Sequence, residues 1–184
     1  MLASARLRHE AGRAGRFLAT PWGLFSLFAL GLVLRLIVAP STGLQFDLDY
    51  FRTWTVRLTV LGPSHFYDSG FPADPPGYPL VLLGLSKINS LLGGGVPPTW
   101  LLKMPSIVAD LGIAWIAGVF AVRLEGNGGR TGEIRAIAAA AILFNPAFFF
   151  CSAVGGETDT IAAFFLLASF LLLLLRCSRK ALPK

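Results

Sequence analysis

Charge is what this chain has little of. Only 14% of its 184 residues are Asp, Glu, Lys or Arg, against about 25% in a soluble domain, which argues against a large water-facing surface. Histidine and cysteine are rarer still. His9 and His65 have no neighbouring ligand set, and Cys151 and Cys177 lack metal-ligand spacing, so no His or Cys metal site is expected. No zinc, P-loop, GxSxG or dinucleotide-binding signature is present. The net charge is +6, but no basic stripe interleaves with aromatics, which argues against a nucleic-acid partner.

The sequence is instead rich in apolar residues, 54% of the total, gathered in runs. A helix of about 20 apolar residues crosses roughly 30 Å of hydrocarbon. Such runs lie at about 22–39, 100–122, 136–150 (kinked at Pro146) and 161–175. The basic flanks before the first and after the last of them, Arg6 to Arg16 and Arg176 to Lys184, suit cytoplasmic loops. Residues 1–20 therefore read as a cytoplasmic tail, 21–176 as the membrane region and 177–184 as a cytoplasmic end. The first run is too long for a signal-peptide core and has no convincing cleavage site, so it reads as a retained span.

A polar loop over 41–99 separates the first two runs. Within it Leu48, Phe51, Trp54, Leu58 and Leu61 recur at helical spacing, which predicts a helix lying on the membrane with its apolar side down. The stretch Tyr78–Leu92 is short and broken by Lys87 and Asn89. If it crossed, the loop Arg123–Arg135 would lie outside with the basic carboxyl end, and Glu157 and Asp159 inside. If it is re-entrant or interfacial, every basic loop lies inside and every acidic one outside, as the positive-inside bias prefers. The expected fold class is an all-α membrane protein of about four transmembrane helices, with surface or re-entrant helices in a long first outside loop and both termini cytoplasmic. It would be a multi-pass protein of the cell membrane.

On this topology two acidic motifs share the outside face, Phe46-Asp47-Leu48-Asp49-Tyr50 and Gly155-Gly156-Glu157-Thr158-Asp159. Paired carboxylates there can take a proton from a hydroxyl or orient a substrate or a divalent metal. The same residues can equally be helix caps, Asp47 for the surface helix and Thr158 or Asp159 for the last span. Arg35, Lys103 and Asp110 fall inside apolar runs, where a charge is costly. Arg35 and Lys103 can serve as interfacial anchors or as phosphate ligands. Asp110 needs a partner that the sequence does not name, which points to a helix beyond this chain.

Four stretches in order carry a resemblance. They are Phe46-Asp47-x4-Arg52-x-Trp54; Gly62-x3-Phe66-Tyr67 with Asp74-Pro75-Pro76-Gly77-Tyr78; Leu102-Lys103-Met104-Pro105-x4-Asp110-Leu111-Gly112; and Phe144-Asn145-Pro146-Ala147-x4-Ser152-Ala153-Val154-x2-Glu157-x-Asp159. Together, over residues 24–176, they resemble the GT-C superfamily of membrane glycosyltransferases, especially bacterial polytopic mannosyltransferase-like proteins. The family's usual Trp-Gly-Gln-x-Asp stands here as Gly155-Gly156-Glu157-Thr158-Asp159, and its Asp-Tyr-Pro-Pro-Gly-Tyr as Ala73-Asp74-Pro75-Pro76-Gly77-Tyr78.

The resemblance implies an inverting transfer of a sugar from a polyprenyl-phosphate carrier to a glycan, lipid or protein acceptor at the outer face. Asp47 would be the general base, with Asp159 and Glu157 beside it. Arg35, Lys103, Arg52 and Tyr78 would be substrate-binding candidates. No organic cofactor is implied, and a divalent metal is left open. Such enzymes have more spans, so the chain reads as an amino-terminal part. The other reading is a small non-enzymatic membrane protein, an assembly subunit or a transporter fragment, in which the acids are caps only.

Overall fold

The computed structural model describes residues 15, 17–41, 43, 45–70, 77–126 and 130–180, the side chains of 45, 69 and 177–180 excepted. The expectations for Asp74, for residues 1–14 and for 181–184 lie outside the described residues. Among the described residues there are helices and no strand. In chain order they are α1 (Pro21–Val38), α2 (Gln45–Leu61), a short 3₁₀ turn (Asp68–Gly70), α3 (Gly77–Leu91), α4 (Thr99–Glu125), α5 (Thr131–Leu143), α6 (Pro146–Phe149), a wide π-turn (Phe150–Gly155) and α7 (Asp159–Lys180).

Helices α1, α4 and α7 are long and apolar enough to cross a membrane. The third apolar run breaks rather than running through. Asn145 accepts a hydrogen bond from the Ala147 amide at 2.9 Å and Pro146 follows it, so α5 stops and a new helix starts, bent by 51° from the first. Counted as one broken span, the pair makes four. At 15 residues, α3 is shorter than a spanning helix needs. The outer surface of α7 is almost wholly apolar, with Phe165, Leu166, Phe170, Leu172 and Leu173 all more than half exposed. Water would not tolerate such a patch on a lone soluble domain.

The bundle packs through small residues, as lipid-embedded helices do. Leu27, Ala114, Ala139 and Leu143 form a core between α1, α4 and α5. A Cβ on Gly31 would come within 3.2 Å of Leu143. A Cβ on Gly112 would stand 2.4 Å from the Phe164 ring, so α4 and α7 meet at that glycine.

The apolar stripe of α2 is present, but it faces protein. Leu48, Phe51, Trp54 and Leu58 are buried against Phe66, Leu82 and Leu102, with Tyr78, Leu83 and Leu85 around them. This corrects the expectation that the stripe lies down on lipid. Helix α3 supplies the apolar surface instead, while Leu61, at the end of the stripe, remains exposed.

Arg35 and Asp110 are both completely buried, at 0% exposure, and paired at 3.0 Å. The partner expected from a helix beyond the chain is therefore Arg35 itself. The guanidinium donates to Asp110 Oδ2 through Nε at 3.2 Å and Nη2 at 3.0 Å, and through Nη1 to the carbonyls of Leu143 (2.9 Å) and Gly31 (3.2 Å). The Phe149 ring centre lies 5.3 Å from its Cζ. Ser152 Oγ completes the group, 2.6 Å from Asp110 Oδ2.

Removing one partner of a buried pair strands the other charge, at a cost of about 3–5 kcal/mol. Arg35→Met and Asp110→Asn should each lower thermal stability in detergent micelles by that order, and Arg35→Met with Asp110→Leu should recover most of the loss. A double variant whose loss is the sum of the two singles would show that the pair is not coupled.

Candidate functional site

The first turn of α2 presents Asp47, half-buried, while Leu48 beside it turns into the core. Asp49 is 64% exposed on another face and binds Arg52 at 2.9 Å. The second acidic motif is set by the π-turn. The amides of Gly156 and Glu157 both donate to the Cys151 carbonyl, at 2.8 and 2.9 Å, which closes the wide turn and releases the chain toward α7. Ser106 of α4 donates to the Glu157 carbonyl at 2.6 Å and fixes the loop from the other side.

These supports bring Asp47, Glu157 and Asp159 to one cleft of about 560 Å³, walled by Tyr50, Phe51, Trp54 and Thr158. Residues more than a hundred positions apart thus line one concavity, Asp47 with the aromatics of α2 on one side and Glu157 and Asp159 on the other. Trp54 is only 5% exposed, and its indole N–H, buried, has no hydrogen-bond partner. A buried donor without a partner in a cleft wall is a place for a ligand oxygen. A second pocket of about 440 Å³ adjoins it through Thr158, lined by Gly77, Tyr78, Val81, Ile161, Ala162 and Phe165. Its wall is largely apolar and belongs to α3 and α7.

Three of the four candidate binding residues line neither pocket, for identifiable reasons, and the fourth, Tyr78, lines the apolar one. Arg35 is enclosed with Asp110, so it is not at the surface to meet a carrier phosphate. Lys103 is likewise 0% exposed. Its ammonium donates to the carbonyls of Ser41 at 3.0 Å and Ala153 at 3.1 Å, tying the exit of α1 to the π-turn rather than reaching the headgroups as an anchor. Arg52 bridges Asp49 and the Thr99 hydroxyl, the latter at 2.7 Å, and so joins α2 to the start of α4. Tyr78 stacks edge-on against Phe51, with centres 4.8 Å apart, and lines the apolar pocket.

Sequence reading missed Ser106 as a support and Trp54 as a wall residue. Ser106 stood on a legible signal, because Lys103, Ser106 and Asp110 recur at three and four residues along one face of an apolar helix. All three prove to be buried. Among the described residues no group of three His, Cys, Asp or Glu side chains is gathered closely enough to hold a metal ion.

Lys103 and Gly156 give this arrangement a direct test. Gly156 has φ +79°, and a Cβ there would stand 3.0 Å from Lys103 Cγ, so Gly156→Ala should cost about 1–3 kcal/mol. Lys103→Met removes the donor to two carbonyls, each worth about 1–3 kcal/mol if left bare. In a Cys177→Ser background both variants should label faster at Cys151, which is half-buried in the π-turn, than the parent does. Unchanged labelling in both would mean that Lys103 does not hold this turn.

Comparison of the chain with protein-family models, with curated proteins and with solved structures finds no match.

Proposed function

We propose that the acidic cleft is the reaction site of a membrane glycosyltransferase of the GT-C type, which takes its sugar from a polyprenyl-phosphate carrier. The observation that carries this reading is the juxtaposition of two unlike cavities at Thr158. One is acidic and aromatic, the other apolar. A lipid-linked sugar has the same two-part character. Its prenyl chain suits the groove of α3 and α7, and its sugar suits a wall where Tyr50 exposes its ring to the C–H side of a pyranose and Trp54 offers an unpartnered indole N–H.

In this reading Asp47 accepts the proton of the acceptor hydroxyl as the oxygen attacks the anomeric carbon. The bond from that carbon to the phosphate oxygen breaks, the polyprenyl phosphate leaves, and the configuration inverts. Glu157 and Asp159 orient the acceptor from the facing loop. No Lys or Arg lines the cleft among the described residues. A basic group from another segment would supply the charge that balances the departing phosphate. The outer-face location and the mannosyl-like donor belong to the same proposal, and they rest on the loop charges and on the motif resemblance.

General-base catalysis typically contributes about 10²–10⁴-fold. In the natural protein supplied with a panel of polyprenyl-phosphate sugars, Asp47→Asn should reduce turnover by roughly that factor while donor binding stays near normal. Asp49→Asn should cost far less, since Asp49 faces away and pairs with Arg52, and Asp159→Asn should fall between them. An essential Asp49 with a dispensable Asp47 would place the base on the other residue. Equal tolerance of all three would leave the acids as helix caps in a non-enzymatic membrane protein.

A further inference from the structure

The far end of the bundle carries a cavity that the proposed reaction does not use. It measures about 490 Å³ and lies where α1, α4 and α5 diverge, with Thr20, Leu24, Phe25, Phe28, Trp115 and Arg135 in its wall. The starts of α1 and α5 stand side by side here, since a Cβ on Gly132 would come within 2.5 Å of the Ala19 carbonyl. The acidic cleft adjoins the opposite end of α1. Most of this wall is apolar, and Phe25 and Trp115 are each more than half exposed.

Arg135 is the exception in that wall. Its stem lies along α4 at Gly118, where a Cβ would stand 2.9 Å from Arg135 Cγ, so only a glycine leaves room for it. Its Nε is buried and has no hydrogen-bond partner. The neighbouring acid Glu133 is engaged by Arg130 at 2.7 Å, and no ion pair to Arg135 forms among the described residues. That buried Nε–H is a donor that the oxygen of an anion would satisfy. The place of Arg135 one turn into α5, level with the first residues of α1, is where a bilayer holds its headgroups when these helices span it.

We propose that this cavity binds an anionic phospholipid, with the headgroup phosphate on Arg135 and one acyl chain along Leu24, Phe25, Phe28 and Trp115. Charge complementarity selects the headgroup, and the apolar wall selects a ligand that brings its own tail. A free inorganic anion would leave Phe25 and Trp115 uncovered.

The test uses the full chain in mixed micelles, with native mass spectrometry counting bound phosphatidylglycerol against phosphatidylcholine. One basic side chain near the headgroups should give about a fivefold preference for the anionic lipid. Arg135→Gln should abolish that preference and Arg135→Lys should keep most of it, while Arg123→Gln and Arg176→Gln leave it unchanged. Equal binding of the two lipids, or a preference that survives Arg135→Gln, would overturn the proposal. So would a preference that appears only after residues 1–14 are removed, which would assign the cavity to the chain's own amino-terminal segment.

Discussion

A charge inside an apolar bundle is tolerated only when its partners surround it, and Arg35 meets that requirement with groups from nearly every part of the bundle. Its guanidinium touches the carboxylate of Asp110 on α4, the carbonyl of Leu143 where α5 ends, and the ring of Phe149 on α6. Ser152 brings the π-turn to the same carboxylate. The Leu143 carbonyl is at the end of a helix, so no amide of its own helix is placed to satisfy it. The guanidinium fills that vacancy, and the chain can break and bend there without leaving a bare acceptor in the interior of the bundle.

The break then determines what the next residues can do. An unbroken helix through 131–155 would carry the chain straight on. The 51° bend and the wide turn instead return Ala153 to Lys103 and Glu157 to Ser106. Along α4, Lys103, Ser106 and Asp110 therefore act as one polar seam that holds the π-turn, while Arg52 and Thr99 fasten α2 to the beginning of the same helix. The two acidic motifs face each other because both are fixed to α4. Wide turns of this kind are often found at functional sites, and here the turn puts carboxylates at the mouth of a cleft with an unpartnered indole N–H in its wall.

The helices long and apolar enough to span were legible because hydrocarbon thickness imposes a run length. The bounds of α1, α4 and α7 start within a residue or two of the apolar runs, though α7 continues past its run to Lys180. Pro146 also marked the kink. The π-turn after it was not legible, since it depends on Ser152 and Lys103 meeting groups from other helices rather than on local propensity. Periodicity in α2 correctly showed that Leu48, Phe51, Trp54 and Leu58 share a face, but it says only that a face exists. Whether lipid or α3 covers that face is decided by tertiary packing. Arg35 and Asp110 each stood out as a costly charge, yet their pairing across 75 positions leaves no mark in a single sequence. The sharing of one side by Asp47, Glu157 and Asp159 followed from the alternation of loops, and the enclosing aromatic wall did not.

Cross-linking in native membranes examines this chain of dependence most directly. With Cys151 and Cys177 replaced by Ser, the pair Asp47→Cys and Asp159→Cys would be treated with a short bifunctional maleimide, with and without Asp110→Asn. The account predicts efficient intramolecular cross-linking in the parent and a marked loss once Asp110 no longer holds Arg35 and Ser152. Equal cross-linking in both would show that the buried pair does not organise the cleft, and its absence from the parent would show that the two acidic motifs do not face each other.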